Sequence, residues 1–257
     1  MRSLKYLLIL FLVLLISTNM FAQEEEEEEE EKEILVFHKA EGFWHKSTPA
    51  GHAIIKDLGE ENGFEVKETN DSDDFNEEDL KKYSLVVFLN TSGDVLNDEE
   101  QAAFEKYIAN GGSFFGIHAA ADTEFDWPWY GELVGAYFVD HPKVQRANVI
   151  VEMPGHPSVS HLPNPWSRID EWYNYKNLNP KNKVLLSLDE STYNGGENGE
   201  NHPIAWYRDL PGGGVSIYTG GGHRIQSYME PGFQEHILRS ILFALGKGVD
   251  TELIIEQ

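Results

Sequence analysis

The chain has 257 residues, enough for one or two domains, and its 40% hydrophobic and 12% aromatic content is that of a globular protein. With 44 acidic against 20 basic residues its formal net charge is −24, which speaks against nucleic acid and anionic lipid as partners, because both are bound by neutralising phosphates with Lys and Arg. Cysteine is absent, so disulfides, thiolate metal ligands and a cysteine nucleophile are excluded.

In chain order, Arg2 and Lys5 precede an apolar run, Tyr6 to Ile16, followed by Ser17-Thr18-Asn19 and Met20-Phe21-Ala22. This is the layout of a cleavable signal peptide over residues 1–22. The eleven apolar residues fall short of the roughly 20 that span a bilayer, so membrane contact is expected only in transit. The expected location is periplasmic or secreted, and no cysteine follows Ala22 to carry a lipid. Residues 23–33 read as a solvated acidic tail, since Glu24 to Glu31 is an unbroken run with nothing apolar to bury. Taking away Arg2, Lys5 and those eight glutamates leaves about −18, so the body is acidic on its own account and suits a neutral ligand.

Residues 34–250 read as a single domain. Ile34 to Phe37 is a continuous apolar run, as in a strand buried on both faces. A helix follows, with Thr48 as N-cap, Pro49 at its first position and Gly63 as its stop. Phe64–Lys67 and Leu85–Leu89 are the next strands. Asn97 and Glu100 form a capping box for a second helix, which ends at Gly111-Gly112 before the strand Ser113–Ile117. This alternation predicts an α/β fold with a parallel sheet covered by helices on both faces. Beyond residue 140, the strand-like segments Val144–Val151, Val184–Leu188, Ile204–Tyr207 and Val215–Tyr218 have little helix between them, which predicts antiparallel strands at one edge. A last helix starts near Pro231 and stops at Gly246.

Ligands of an open parallel sheet bind beyond the C-terminal ends of its strands. The residues that follow the predicted strands are Phe43-Trp44-His45, Asn90, His118 to Asp122 with Trp127 and Trp129 downstream, Asp170 to Tyr173, and Thr219 to His223. Three imidazoles, several carboxylates and several aromatic rings on one rim suit a sugar, whose C–H faces pack on rings while its hydroxyls take hydrogen bonds. Gly220-Gly221-Gly222 lacks the Lys-Ser or Lys-Thr pair of a P-loop.

These stretches resemble the ThuA-like (trehalose-utilisation) family, whose fold is that of class I glutamine amidotransferases. The resemblance runs from Leu35 to about Gly246. It is carried by Phe43-Trp44-His45, by Val87 to Leu96, by Gly116-Ile117-His118-Ala119-Ala120-Ala121-Asp122 and by Trp127-Pro128-Trp129-Tyr130. Asp170-Glu171-Trp172-Tyr173, His202 to Trp206 and Tyr218 to His223 complete it. His38 and Trp44 depart from the usual family pattern. The resemblance implies a flavodoxin-like three-layer sandwich and a role in sugar catabolism. Where amidotransferases carry Gly-Ile-Cys after a strand, this chain has Gly116-Ile117-His118, so glutamine amidotransferase chemistry is not expected.

The candidate catalytic residues are His118, Glu171 as general acid or base, His223, and Asp122, which is equally placed to cap a helix after His118. Phe43, His45, Asn90, Trp127, Trp129, Trp172 and Tyr173 are candidates for sugar binding; for the three tryptophans the alternative is core packing. His45, His118 and His223 are also the donors of a possible divalent metal, although no His-x-x-x-His spacing is present. The expected function is acid–base chemistry on a disaccharide or keto-sugar; the alternative is a non-catalytic sugar-binding module. The sequence is silent on the oligomeric state.

Overall fold

The computed structural model describes residues 32–246; the expected signal peptide and most of the acidic tail lie outside the described residues. In chain order the elements are β1 (Lys32–Phe37), α1 (Thr48–Asn62), β2 (Phe64–Thr69), α2 (Glu77–Leu80), β3 (Leu85–Leu89), α3 (Asp98–Ala109) and β4 (Ser113–Ile117). They continue with α4 (Pro128–Val134), β5 (Tyr137–Asp140), β6 (Gln145–Val151), β7 (Trp166–Asp170), β8 (Asn174–Lys176), β9 (Lys183–Asp189), β10 (His202–Asp209), β11 (Val215–Thr219) and α5 (Pro231–Ala244). None of the described helices is long and apolar enough to cross a membrane.

Nine strands form one sheet in the order β2-β1-β3-β4-β11-β10-β9-β6-β7. The first five are mutually parallel, and β10, β9, β6 and β7 each run antiparallel to the preceding neighbour. β5 and β8 pair separately. This is the three-layer α/β architecture expected from the sequence. All five residues of β3 and of β4 are buried, because helices cover both faces. On one face Phe88 of β3 stacks on Phe104 of α3, centroids 5.5 Å apart, and on Tyr130 of α4 at 5.6 Å. On the other, α1 comes so close to β3 that a Cβ on Gly51 would lie 2.9 Å from Leu89.

The local signals act largely as expected. Asn97 and Glu100 make the capping box of α3, and Gly63 ends α1 in the left-handed conformation at φ 68°. Four details differ. The segment Val215–Tyr218, expected among the antiparallel edge strands, is β11, which runs parallel to β4 inside the sheet. Ser47, rather than Thr48, is the N-cap of α1, and its side chain is engaged elsewhere. β1 starts at Lys32, so Lys32 and Glu33 of the expected tail pair with Phe64 and Glu65 of β2. No α-helix follows His118, only a 3-10 turn from His118 to Asp122, so Asp122 caps nothing.

The antiparallel half does not extend flat. β7 is four strands from β11, which would be about 19 Å in a flat sheet. Yet the Asp170 carboxylate at the end of β7 accepts a hydrogen bond from the Gly222 N–H beyond β11 at 2.9 Å. The sheet therefore curls back on itself and carries the end of β7 over the ends of β4 and β11.

Candidate active site

Four side chains meet where the two halves of the sheet close. His45 lies at the entry to α1, His118 follows β4, Glu171 follows β7 and His223 follows β11. One ligand atom from each lies within 4.8 Å of all the others. Glu171 Oε2 is 3.0 Å from His223 Nδ1 and 3.5 Å from His118 Nε2. The imidazole centroids are 4.9 Å apart for His45 and His118, 5.3 Å for His45 and His223, and 5.4 Å for His118 and His223. His118 is fully buried, His45 and Glu171 are nearly so, and the His223 side chain keeps 26% of its exposure.

The backbone aims each group. His118 has φ 50°, a left-handed conformation that costs a non-glycine residue about 1 kcal/mol or more and turns its ring off the strand axis. Its Nδ1 is 2.9 Å from the Gly220 carbonyl, which can only accept, so Nδ1 carries the proton and the Nε2 lone pair points into the cluster. Gly222 has φ 122°, and a Cβ there would meet the Tyr228 hydroxyl at 2.8 Å, so this turn into His223 requires glycine. The Ser47 hydroxyl donates to the Gly222 carbonyl at 2.8 Å, tying the His45 segment to the His223 turn. Asp170 accepts from Gly222 N–H, from Ser227 Oγ at 2.8 Å, from Arg168 Nη2 at 3.1 Å and from Glu171 N–H at 3.0 Å.

Three imidazole nitrogens, His45 Nδ1, His118 Nε2 and His223 Nδ1, are buried and make no hydrogen bond of good geometry, although the last two face Glu171 Oε2. The His223 contact is close enough for an ion pair, but its approach lies outside hydrogen-bond geometry. The charges are strongly coupled. Burial alone would raise the Glu171 carboxyl, but His118 and His223 overcome it and hold the group well below the usual carboxylate range. The same carboxylate raises His223. Burial, reinforced by His118 and His223, lowers His45 to about 3 and keeps it neutral. A neutral His45 beside an ionised Glu171 has the protonation states of metal ligands, and a cation bound there would displace the proton that Glu171 favours on His223. The three nitrogens and one oxygen suit a borderline divalent cation such as zinc.

Of the residues singled out from the sequence, His45, His118, Glu171 and His223 thus converge, which the distances between them in the chain do not reveal. His118 is buried rather than exposed, because Tyr173 covers it with ring centroids 4.3 Å apart. Tyr173 therefore does line the site. Asp122 is half-buried beside it, and burial pushes its carboxyl up to about 6 against the opposing pull of His118 and His141. Phe43 lies at the mouth, 62% exposed, its ring 4.8 Å from that of His45. Asn90 donates through Nδ2 to Ser47 Oγ and Thr48 Oγ1, both at 3.2 Å, and so braces the start of α1.

The three tryptophans pack in or against the core. Trp127 donates to Glu105 at 3.0 Å and stacks on Trp129, which packs on Phe104 of α3. Trp172 is buried and donates to the Gln145 carbonyl at 3.0 Å. Two residues near the centre escape sequence reasoning. His141 Nδ1 is 3.1 Å from Glu171 Oε1, and Asp170 forms the clamp described above. His141 follows β5, a short strand with no clear pattern; Asp170 stands in the stretch Asp170 to Tyr173, with nothing in the sequence to mark it as a clamp.

The family described as trehalose utilisation, ThuA, matches residues 33–244. No curated protein matches. Among solved structures, a ThuA-like protein from Bacteroides uniformis superposes with a TM-score of 0.71 at 25% identity, covering 83% of this chain and 91% of its own. A second, from Parabacteroides merdae, gives 0.69 at 20% identity over 84% and 90%. PurLQS from Thermotoga maritima shares the fold at 0.50 and 13% identity, over 84% of this chain and 100% of its own.

Proposed function

The chain belongs to the trehalose-utilisation (ThuA) family, within the class I glutamine amidotransferase-like superfamily, and on that premise we propose that it is a metal-dependent enzyme of carbohydrate catabolism. The observation that carries the reading is the convergence of three imidazoles and one ionised carboxylate, one donor atom of each within 4.8 Å of all the others.

His45, His118, Glu171 and His223 would hold the ion. A divalent cation held there would supply Lewis-acid polarisation of a substrate oxygen. Glu171, kept ionised, is a poor acid or base and serves instead as a ligand. The proton-carrying role passes to Asp122, whose carboxyl titrates near 6 and can take a proton from a sugar carbon or hydroxyl and return it near neutral pH. Tyr173 covers His118 and shields the centre from water. The acidic body favours a neutral substrate, a disaccharide or keto-sugar.

The test is metal content by mass spectrometry, paired with turnover of a panel of disaccharides and their keto forms. Purified protein equilibrated with zinc and dialysed should retain close to one ion per chain. His118→Ala should lose it and lower turnover at least about 100-fold. Wild-type protein that retains no more zinc than the variant would defeat the reading. Sugar binding without turnover in the zinc-loaded protein would point instead to a non-catalytic module.

A further inference from the structure

The described residues include seven large hydrophobic side chains that are exposed, and all of them lie at the rim that carries the His/Glu cluster. Phe43 and Trp44 stand on the segment between β1 and α1, 62% and 49% exposed, and Ile225 and Met229 on the turn after His223, 46% and 71% exposed. The others are Phe125, in the segment after β4, and Val139 and Val144, on either side of His141. The opposite end of the sheet and the outer helix faces have none among the described residues.

Phe43 and Trp44 do not ride on a loose loop. Glu41 and Gly42 donate their N–H groups to the Ser92 carbonyl at 2.8 and 3.1 Å, and the Ser92 hydroxyl donates to the Phe43 carbonyl at 2.9 Å. Phe43 packs edge-on against His45, whose ring touches His118 and His223. A molecule held at the cluster and extending toward solvent on this side passes over Phe43. Exposed apolar surface fixed in place beside a cluster of polar groups marks a binding surface.

We propose that the site takes a neutral glycoside with an apolar aglycone, and that Phe43 and Trp44 grip that aglycone while the sugar occupies the His/Glu centre. The inference rests on the carbohydrate reading above and narrows its substrate class. The sugar's hydroxyls suit the polar floor. The aglycone, with no hydroxyls to solvate, suits the rings, and the charge of about −18 on the body disfavours an anionic group there.

The test measures binding of two neutral probes, methyl α-D-glucopyranoside and phenyl α-D-glucopyranoside, to the zinc-equilibrated protein by calorimetry. The phenyl glycoside should bind roughly tenfold more tightly, the size of one ring contact plus the area it buries. Phe43→Ala/Trp44→Ala should abolish that preference while keeping the zinc content and the melting temperature of the wild type. Equal binding of the two probes, binding of neither, or a preference that survives in the double variant overturns the proposal. So does a dimer in sedimentation that the double variant disperses, since the rings then cover a second copy. Zinc content on the same samples reports separately on the metal centre.

Discussion

Asp170 fastens the two halves of the sheet, and Asp170→Asn tests whether the site depends on that closure. Its Oδ2 accepts from Gly222 N–H, Ser227 Oγ and Arg168 Nη2, while Oδ1 accepts from Glu171 N–H. In asparagine one of these positions becomes an NH2 group. The smaller loss keeps oxygen toward the three donors and sets the new N–H against that of Glu171. Arg168 then loses its fully buried anion and keeps Glu230 at 3.1 Å, whose side chain is 31% exposed. One lost buried hydrogen bond and a weakened buried ion pair together cost about 3 kcal/mol. For a domain of this size that is a fall in Tm of roughly 6–12 °C. Urea unfolding of the full chain measures the first quantity and calorimetry the second. Because Gly222 and Glu171 adjoin or supply ligands, zinc affinity should also drop about 10- to 100-fold. A loss of stability under about 1 kcal/mol with unchanged zinc affinity would refute the account of how the curled sheet holds the centre.

Two further predictions concern other parts of the chain. His236 is fully buried, its Nδ1 donating to the Ser158 carbonyl at 2.8 Å and its Nε2 accepting from Thr219 Oγ1 at 3.2 Å, and burial lowers it to about 3. The unfolded chain takes up this proton from about pH 6.5 downward, so stability is full above that pH and is lost toward pH 3; at pH 5 the loss is about 2 kcal/mol, and His236→Asn should remove that part of the pH dependence of urea unfolding. Identical pH dependence in the two proteins would rule this out. Export, proposed from Arg2, Lys5, the apolar run and Ala22, should appear as a mature N-terminus near Gln23 when the envelope fraction is sequenced by mass spectrometry, and full-length protein confined to the cytoplasm would count against it.

The parallel half of the fold was legible because its inner strands are buried on both faces and read as apolar runs, as at Leu85–Leu89, while the edge strand Phe64–Thr69 is not. Its helices carry explicit punctuation, the Asn97–Glu100 box and Gly63. The antiparallel half was legible only as strands. β5, β7 and β8 have three to five residues each, too short for a period to declare itself, and nothing in Trp166–Asp170 says that the sheet curls until its ninth strand meets its fifth. For the same reason the four ligand residues could be picked out singly, from their places after strands, while their convergence could not. The tryptophans stayed ambiguous because an indole suits both a sugar face and a helix interface, and the Glu105 and Gln145 partners of Trp127 and Trp172 favour packing.

The position of His118 explains how such a scaffold can change chemistry. A residue directly after β4, turned by a left-handed φ of 50°, projects over the C-terminal ends of the parallel strands whatever its side chain. An imidazole anchored through Nδ1 to the Gly220 carbonyl can offer only a lone pair, which is useful when other donors surround it. His45 and His223 come from the parallel half and would form an incomplete set. The carboxylate that completes it, Glu171, reaches the centre only because β7 is carried back across the sheet and pinned by Asp170. The antiparallel half is therefore more than an edge extension: it carries the one anionic ligand. Lengthening the connection between β6 and β7 should leave the parallel sheet intact, whereas cutting the Asp170 clamp should disable the centre without unfolding the body.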